Sequence, residues 1–168
     1  MLFIFVLTNN IAHDIINIER GDNMENYDQL LLKNQLCFPT YAVCNKILRK
    51  YTPYLDKLDL TYTQYIVMMV MWEKKEVNEK ELCDSLYLKT NTLAPLIKRL
   101  EEKDYVKISK SRKDKRNINI TLTEKGELLK DEAQSIPSCI MKEFNLTMEE
   151  ATFFYKIMYK ILNYNKEV

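Results

Sequence analysis

One segment of the sequence changes its hydrophobic period, and this change restricts the folds that the chain can adopt. Residues 105 to 111 (YVKISKS) alternate apolar and polar side chains, and residues 117 to 123 (NINITLT) do the same. A period of two is typical of strands with one buried face. The charged run RKDKR lies between them, at residues 112 to 116. We therefore predict a β-hairpin with a charged tip, set in a chain whose other apolar residues follow the helical period.

The rest of the chain has the composition and the start signals of helices. It contains only two glycines and four prolines among 168 residues, and helix interiors tolerate these residues least. Three capping pairs mark helix starts: Thr61 with Gln64, Asn78 with Glu81, and Thr147 with Glu150. We predict helices over about 62–73 and 79–86, and a long helix after Thr123 that Pro137 interrupts. The predicted fold class is mainly α (α+β).

Two further prolines set the expected starts of helices. Proline lacks an amide hydrogen and is favoured in the first helical turn. A helix should therefore begin near Pro39, with Cys37 beside its N-terminus. For the helix that contains Pro95, either Thr92 is the cap or an irregular turn begins at Thr90.

The sequence lacks the usual signatures of enzymes, metalloproteins and membrane proteins. Its only histidine is His13, so Cys-His and Ser-His catalytic pairs are disfavoured. No two cysteines have the C-x-x-C spacing of zinc sites. No apolar run approaches the roughly 20 residues that span a bilayer, and the segment LFIFVL lacks the basic residues and cleavage site of a signal peptide. We predict a cytoplasmic protein with no metal, no cofactor and no membrane partner.

Positive charge is concentrated in one stretch that follows the order of a winged helix-turn-helix. The formal net charge is +1, yet residues 89–116 contain ten Lys or Arg against four Asp or Glu, a local charge of +6. The second of two short helices can enter the major groove of DNA, and a wing arginine can enter a minor groove. The predicted DNA-contacting residues are Lys89, Thr90, Asn91, Thr92, Ala94, Lys98, Arg99, Arg112, Asp114 and Arg116. The alternative is a helix pair followed by an ordinary, solvated hairpin.

These segments resemble one known family. TLAPLIKRLEEKDYV and SRKDKRNINITLTEKG resemble the recognition helix and wing of MarR-family transcription regulators, with the D-x-R of the wing at Asp114 and Arg116. NQLCFPTYA, YTPYLDKLDLTYTQYIVMMVMWE and LYLKTNTLAPLIKRLE resemble the organic hydroperoxide resistance regulators of that family. The resemblance covers roughly residues 29–165. It implies a homodimer that binds a pseudo-palindromic operator in double-stranded DNA.

The resemblance also implies a domain organisation. Residues 24–168 would form one MarR-type domain, with dimerisation helices over about 27–50 and 124–165. The winged DNA-binding lobe would occupy about 54–122. Residues 1–23 have no counterpart in the family, and we expect them to be a disordered extension.

The resemblance assigns a chemical role to Cys37, which aligns with a redox-sensing cysteine. A position near a helix N-terminus favours the thiolate. Tyr51 and Tyr62 match the two tyrosines that hydrogen-bond this cysteine across the dimer, and such donors stabilise the charged sulfur. Some relatives carry a second, resolving cysteine, for which Cys139 is the candidate. Pro39 stands where the family has an apolar residue beside the sensor.

The predicted function is a repressor that senses organic hydroperoxides. A hydroperoxide would oxidise Cys37 to sulfenic acid, which would then react with a small thiol or another cysteine, and the protein would release its operator. Cys44 and Cys83 are predicted to be small core residues. Two alternatives remain: a MarR-type repressor released by a phenolic ligand, and a thiol peroxidase that consumes peroxide.

Overall fold

A computed structural model describes residues 27–110 and 118–163, which divide into one unit up to Leu48 and a second from Arg49 onward. The predictions for residues 1–23 and for the hairpin tip lie outside these ranges. Two short 3-10 helices, Tyr27–Leu30 and Leu32–Asn34, precede helix α1, Cys37–Leu55. This helix begins two residues before the predicted start, so Pro39 lies in its first turn as expected.

The second unit contains a winged helix-turn-helix. Its elements are α2 (Tyr62–Lys74), β1 (Glu76–Asn78), α3 (Glu79–Leu86), α4 (Thr90–Glu102), β2 (Val106–Lys110) and β3 (Ile118–Leu122). In the predicted hairpin Val106 lies opposite Leu122 and Ile108 lies opposite Ile120. Strand β1 pairs with β3 on its other side, giving the antiparallel order β1-β3-β2. Sequence patterns did not predict β1.

Helix starts that depend on a capping side chain are confirmed. Thr61 and Gln64 form a reciprocal capping box at the start of α2. At the start of α3 the side-chain oxygen of Asn78 accepts a hydrogen bond of 2.9 Å from the amide of Glu81. Because these side chains satisfy amides that have no partner inside the helix, they fix where each helix begins.

Of the two predicted starts of α4, the start at Thr90 is confirmed, whereas the cap at Thr92 is wrong because Thr92 lies inside the helix. The helix begins at Thr90 with regular geometry, and no side chain caps it. The carbonyl of Lys89 accepts hydrogen bonds from the amides of Thr92 and Leu93. These bonds close the first turn of the helix before Pro95. Proline therefore lies in the second turn, where it deprives one preceding carbonyl of its intrahelical partner.

Three helices follow the wing: α5 (Glu124–Ala133), α6 (Ile136–Glu143) and α7 (Met148–Asn163). Thr123 caps α5, and Pro137 lies at the start of α6, which confirms the predicted interruption. Thr147 and Glu150 form the third capping box, with bonds of 2.8 and 3.2 Å. No residue of α7 is buried within the described chain.

The core of the second unit lies between α2, α4 and the sheet. Its most deeply buried side chains come from α2, α3, α4 and the two hairpin strands: Val67, Met68, Met71, Leu82, Leu93, Ile97, Leu100, Val106 and Ile120. Across the described ranges, no helix combines the length and apolar character needed to cross a lipid bilayer.

Candidate nucleic-acid interface and tyrosine cluster

Helix α4 has a buried face and an exposed face with different chemistry. Leu93, Ile97 and Leu100 are at most 1% exposed and pack into the core. The residues predicted to contact DNA are all exposed: Lys89, Thr90, Asn91, Thr92, Ala94, Lys98 and Arg99. The apolar face therefore holds the helix so that this polar and basic face meets solvent.

The cations of this exposed face are not paired with any carboxylate of residues 27–110 or 118–163. In the part of the chain that the structure describes, Lys89, Lys98 and Arg99 belong to no salt bridge. The salt bridges found there are Lys50–Glu143, Lys74–Glu81, Lys75–Glu127 and Lys103–Asp59. An anion that binds the exposed face of α4 would therefore displace none of the ion pairs that the described residues form.

The wing is hydrogen-bonded to the same helix. The carboxylate of Glu101, near the end of α4, accepts a hydrogen bond of 2.8 Å from the amide of Ile108 in β2. This bond fixes the direction in which the hairpin leaves the helix. The tip residues Arg112, Asp114 and Arg116 lie outside the described ranges, so their predicted role stays a prediction.

Tyr51 and Tyr62 contact each other. The resemblance predicts that they hydrogen-bond the sensor cysteine across the dimer. Their rings meet edge to face with centroids 5.0 Å apart. Tyr65 joins them, with centroid distances of 5.9 Å to Tyr51 and 6.5 Å to Tyr62. We call Tyr51, Tyr62 and Tyr65 the tyrosine cluster. Sequence reasoning missed Tyr65, although its position three residues after Tyr62 puts both on one side of α2.

The environment of Tyr51 keeps its hydroxyl protonated. Burial, with smaller contributions from Tyr62 and Tyr65, raises the pKa of Tyr51 to about 12. Burial likewise raises the pKa of Tyr65. A phenol must retain its proton to donate a hydrogen bond to an anion, and near neutral pH Tyr51 meets that condition.

The cysteines occupy different environments. Cys37 is exposed and is the first residue of α1. Cys83 is buried as predicted, and its sulfur lies 3.8 Å from the hydroxyl of Thr90. The prediction that Cys44 is a core residue is wrong, since its side chain is exposed. Cys139 on α6 is partly buried.

A further contact joins α2 to the start of α5. The indole nitrogen of Trp72 donates a buried hydrogen bond of 2.8 Å to the carbonyl of Gly126. The ring of Trp72 also lies edge-on to Tyr65, with centroids 6.1 Å apart. Trp72 is the only tryptophan of the sequence, but no local pattern indicated its partner.

A helix-turn-helix with a basic exposed face, followed by a hairpin bonded to its second helix, defines a winged helix-turn-helix protein. A family model described as Transcriptional regulator SarA/Rot matches residues 49–133. The chain is 37% identical over 140 residues to the organic hydroperoxide resistance transcriptional regulator of Bacillus subtilis, covering 83% of this chain and 95% of that protein. It is 43% identical over 121 residues to the regulator SarZ of Staphylococcus aureus, covering 72% and 82%.

The solved structures that resemble this chain are also DNA-binding regulators. Reduced AbfR bound to DNA has 31% sequence identity and a TM-score of 0.69, over 82% of this chain and 96% of that one; AbfR comes from Staphylococcus epidermidis. AbfR has also been solved overoxidised and bound to DNA, and with a disulfide formed. The chain therefore belongs to the MarR family of winged-helix transcriptional regulators.

Proposed function

We propose that the protein is a cytoplasmic, homodimeric repressor that binds operator DNA and releases it when an organic hydroperoxide oxidises Cys37. The exposed basic face of α4 supports DNA binding, because a buried apolar face holds its cations in place and none of them forms a salt bridge with another described residue. The basic tip residues Arg112 and Arg116, with Asp114 between them, would complete the contact. Phosphate contacts would position the protein, and Asn91 and the threonines beside it would meet base edges.

Exposed apolar side chains support a dimer. Helix α7 leaves Phe153, Phe154, Ile157 and Ile161 exposed, which is more apolar surface than an isolated helix keeps in water without a partner. The dimerisation helices over about 27–50 and 124–165 and the lobe over about 54–122 remain the proposed organisation. A two-fold dimer matches a pseudo-palindromic operator.

The relatives and the tyrosine cluster support redox sensing. One relative is named for resistance to organic hydroperoxides, and AbfR has been solved reduced, overoxidised and with a disulfide formed. The thiol of Cys37 is exposed at the first residue of α1, where a hydroperoxide can reach it. We place the partner subunit's Tyr51 and the partner subunit's Tyr62 as the hydrogen-bond donors to that sulfur.

The chemical step is a two-electron oxidation. The thiolate of Cys37 attacks the terminal oxygen of the hydroperoxide, so that an S–O bond forms while the O–O bond breaks. The alkoxide leaves and takes a proton to become an alcohol, and the sulfur becomes a sulfenic acid. A small thiol, or Cys139, can then displace water from the sulfenic acid and form a disulfide. The protein itself is consumed as a sensor and does not turn over as an enzyme.

Operator release measured in matched cysteine variants tests this function. The reduced protein selects its operator from a random DNA pool, and binding is measured before and after one equivalent of cumene hydroperoxide. The parent and Cys44→Ser, which changes another exposed cysteine of α1, should both release DNA. Cys37→Ser should bind equally well and stay bound, since a serine hydroxyl cannot follow the sulfur oxidation ladder. Release from Cys37→Ser at the parent's rate would refute the sensor.

A second arm separates the one-cysteine and two-cysteine reactions. If Cys139→Ser releases DNA only when a small thiol is added, Cys139 is the resolving cysteine. If Cys139→Ser behaves like the parent in every buffer, Cys37 acts without it. Peroxide consumption measured in the same reactions should stop at one equivalent per subunit, whereas continued consumption with added thiol would indicate a peroxidase.

A further inference from the structure

We propose that helix α2 couples the tyrosine cluster to the base of the wing, and that Trp72 is the positioning residue that makes the connection. We define the wing base as Tyr105, Leu122, Thr123 and Gly126, the residues where β2 begins, β3 ends and α5 starts. This coupling would regulate the redox response, and it therefore rests on the function proposed above.

The two ends of α2 carry different contacts. Its first residues contribute Tyr62 and Tyr65 to the tyrosine cluster, and its last turns contain Trp72. Tyr65 is 3% exposed and contacts the rings of both Tyr51 and Trp72. Close-packed interiors shift between discrete arrangements and do not deform smoothly. A change at Tyr51 or Tyr62 would therefore displace Tyr65 and with it the helix.

Several contacts fasten the C-terminal end of α2 to the wing base. Trp72 donates to the carbonyl of Gly126 at 2.8 Å, and the carbonyl of Lys75 accepts the amide of Leu122 at 2.8 Å. Lys75 also forms an ion pair with Glu127 on α5. Lys75 has a φ of 65°, a backbone conformation that is strained for a residue with a side chain and that persists only where surrounding contacts hold it.

Hydrogen bonds within the wing base connect Gly126 to both strands of the hairpin. The amide of Gly126 donates to the hydroxyl of Thr123 at 3.0 Å. The amide of Thr123 donates in turn to the carbonyl of Tyr105 at 3.1 Å, immediately before β2. A shift of the indole of Trp72 would thus be felt where β2 begins and where β3 ends.

Two matched substitutions test the coupling through the ratio of operator affinities before and after oxidation. Trp72→Phe keeps an aromatic ring but removes the donor to Gly126. Tyr87→Phe is the control, because it also removes one aromatic donor, to the side chain of Asn163, and Tyr87 lies outside both α2 and the wing base. We expect Trp72→Phe to reduce the affinity ratio by about five- to tenfold, the effect of one buried hydrogen bond on a two-state coupling. Tyr87→Phe should keep the parent's ratio.

Fluorescence of the unmodified protein provides a measurement that does not depend on the folding of a variant. Trp72 is the only tryptophan, so its emission reports on this site alone. The emission should change with the rate of DNA release when hydroperoxide is added, and Cys37→Ser should show no change. Release with constant emission, an unchanged ratio in Trp72→Phe, or equal losses in both variants would overturn the coupling. Failure of the parent to release DNA would instead refute the function on which the coupling rests.

Discussion

Replacing Gly126 with alanine tests the packing of the wing base, because two general effects predict opposite results. Gly126 is the third residue of α5, and alanine is favoured over glycine inside a helix by roughly 1 kcal/mol. Helix propensity alone therefore predicts a more stable protein. A β-carbon at this position, however, would overlap the backbone carbonyl oxygen of Tyr105 and lie 2.8 Å from a methyl carbon of Leu122.

The steric overlap with the carbonyl of Tyr105 should outweigh the gain in helix propensity, because the overlapping atom belongs to the backbone. The side chain of Leu122 can rotate, but the carbonyl of Tyr105 is held by the amide of Thr123. Overpacking a filled site costs about 1–3 kcal/mol, and the upper end applies where no side chain can yield. Displacing the carbonyl also weakens its hydrogen bond, by about 0.5–1.5 kcal/mol. After the propensity gain is subtracted, the free energy of unfolding should fall by about 2.5–3.5 kcal/mol.

Urea unfolding at a fixed protein concentration measures this loss, since the stability of a dimer depends on concentration. In a thermal scan it corresponds to roughly 5–14 °C for a chain of this size. Lys130→Ala is the control, because Lys130 is exposed on the same helix and its change should stay within about 0.5 kcal/mol. A Gly126→Ala protein at least as stable as the parent would refute the close approach of the Tyr105 carbonyl.

Two further predictions concern the tyrosine cluster and the cap of α5. The pKa of Tyr51, about 12 in the folded protein, exceeds that of an unfolded tyrosine, about 10. The folded state therefore keeps a proton that the unfolded state loses, and this part of the stability is present below about pH 10 and is lost as the pH rises through 12. Denaturant unfolding against pH should show a shallower decline for Tyr51→Phe, and an identical decline would contradict the assignment. Thr123→Ala removes the cap at the amide of Gly126 and should cost about 1 kcal/mol in urea unfolding, and a neutral result would show that the cap is dispensable.

Local signals were sufficient where the structure depends on neighbouring residues. The capping pair at Thr61 fixes the start of α2 through bonds within one turn. Alternation alone predicted the two hairpin strands, and their apolar residues Ile108 and Ile120 lie opposite each other, because a shift by one residue would turn the apolar side chains to the other face. The same local rules could not choose between Thr90 and Thr92 for the start of α4, since Pro95 is tolerated in a second turn that a buried face holds in place.

Features that depend on distant residues could not be predicted from local patterns. Strand β1 has one buried apolar residue, Val77, and becomes a strand only because β3 supplies its partner. The bond from Trp72 to Gly126 joins positions 54 residues apart. Tyr65 follows the period of an ordinary core residue, so its membership of the tyrosine cluster becomes visible only when the rings are placed.

The affinity for the operator and the change of that affinity on oxidation should depend on different parts of the winged lobe. Substitutions at two basic residues distinguish these two properties. A contact that is equal in both redox states changes both affinities by the same factor, so it leaves their ratio unchanged. Lys98 lies on α4, which the core holds, whereas Arg116 belongs to the wing that we propose moves with α2. Both Lys98→Ala and Arg116→Ala should weaken binding by the reduced protein and lower the salt slope by about one per phosphate contact. Only Arg116→Ala should also lower the ratio of operator affinities before and after oxidation, and equal ratios in the two variants would show that the wing does not move.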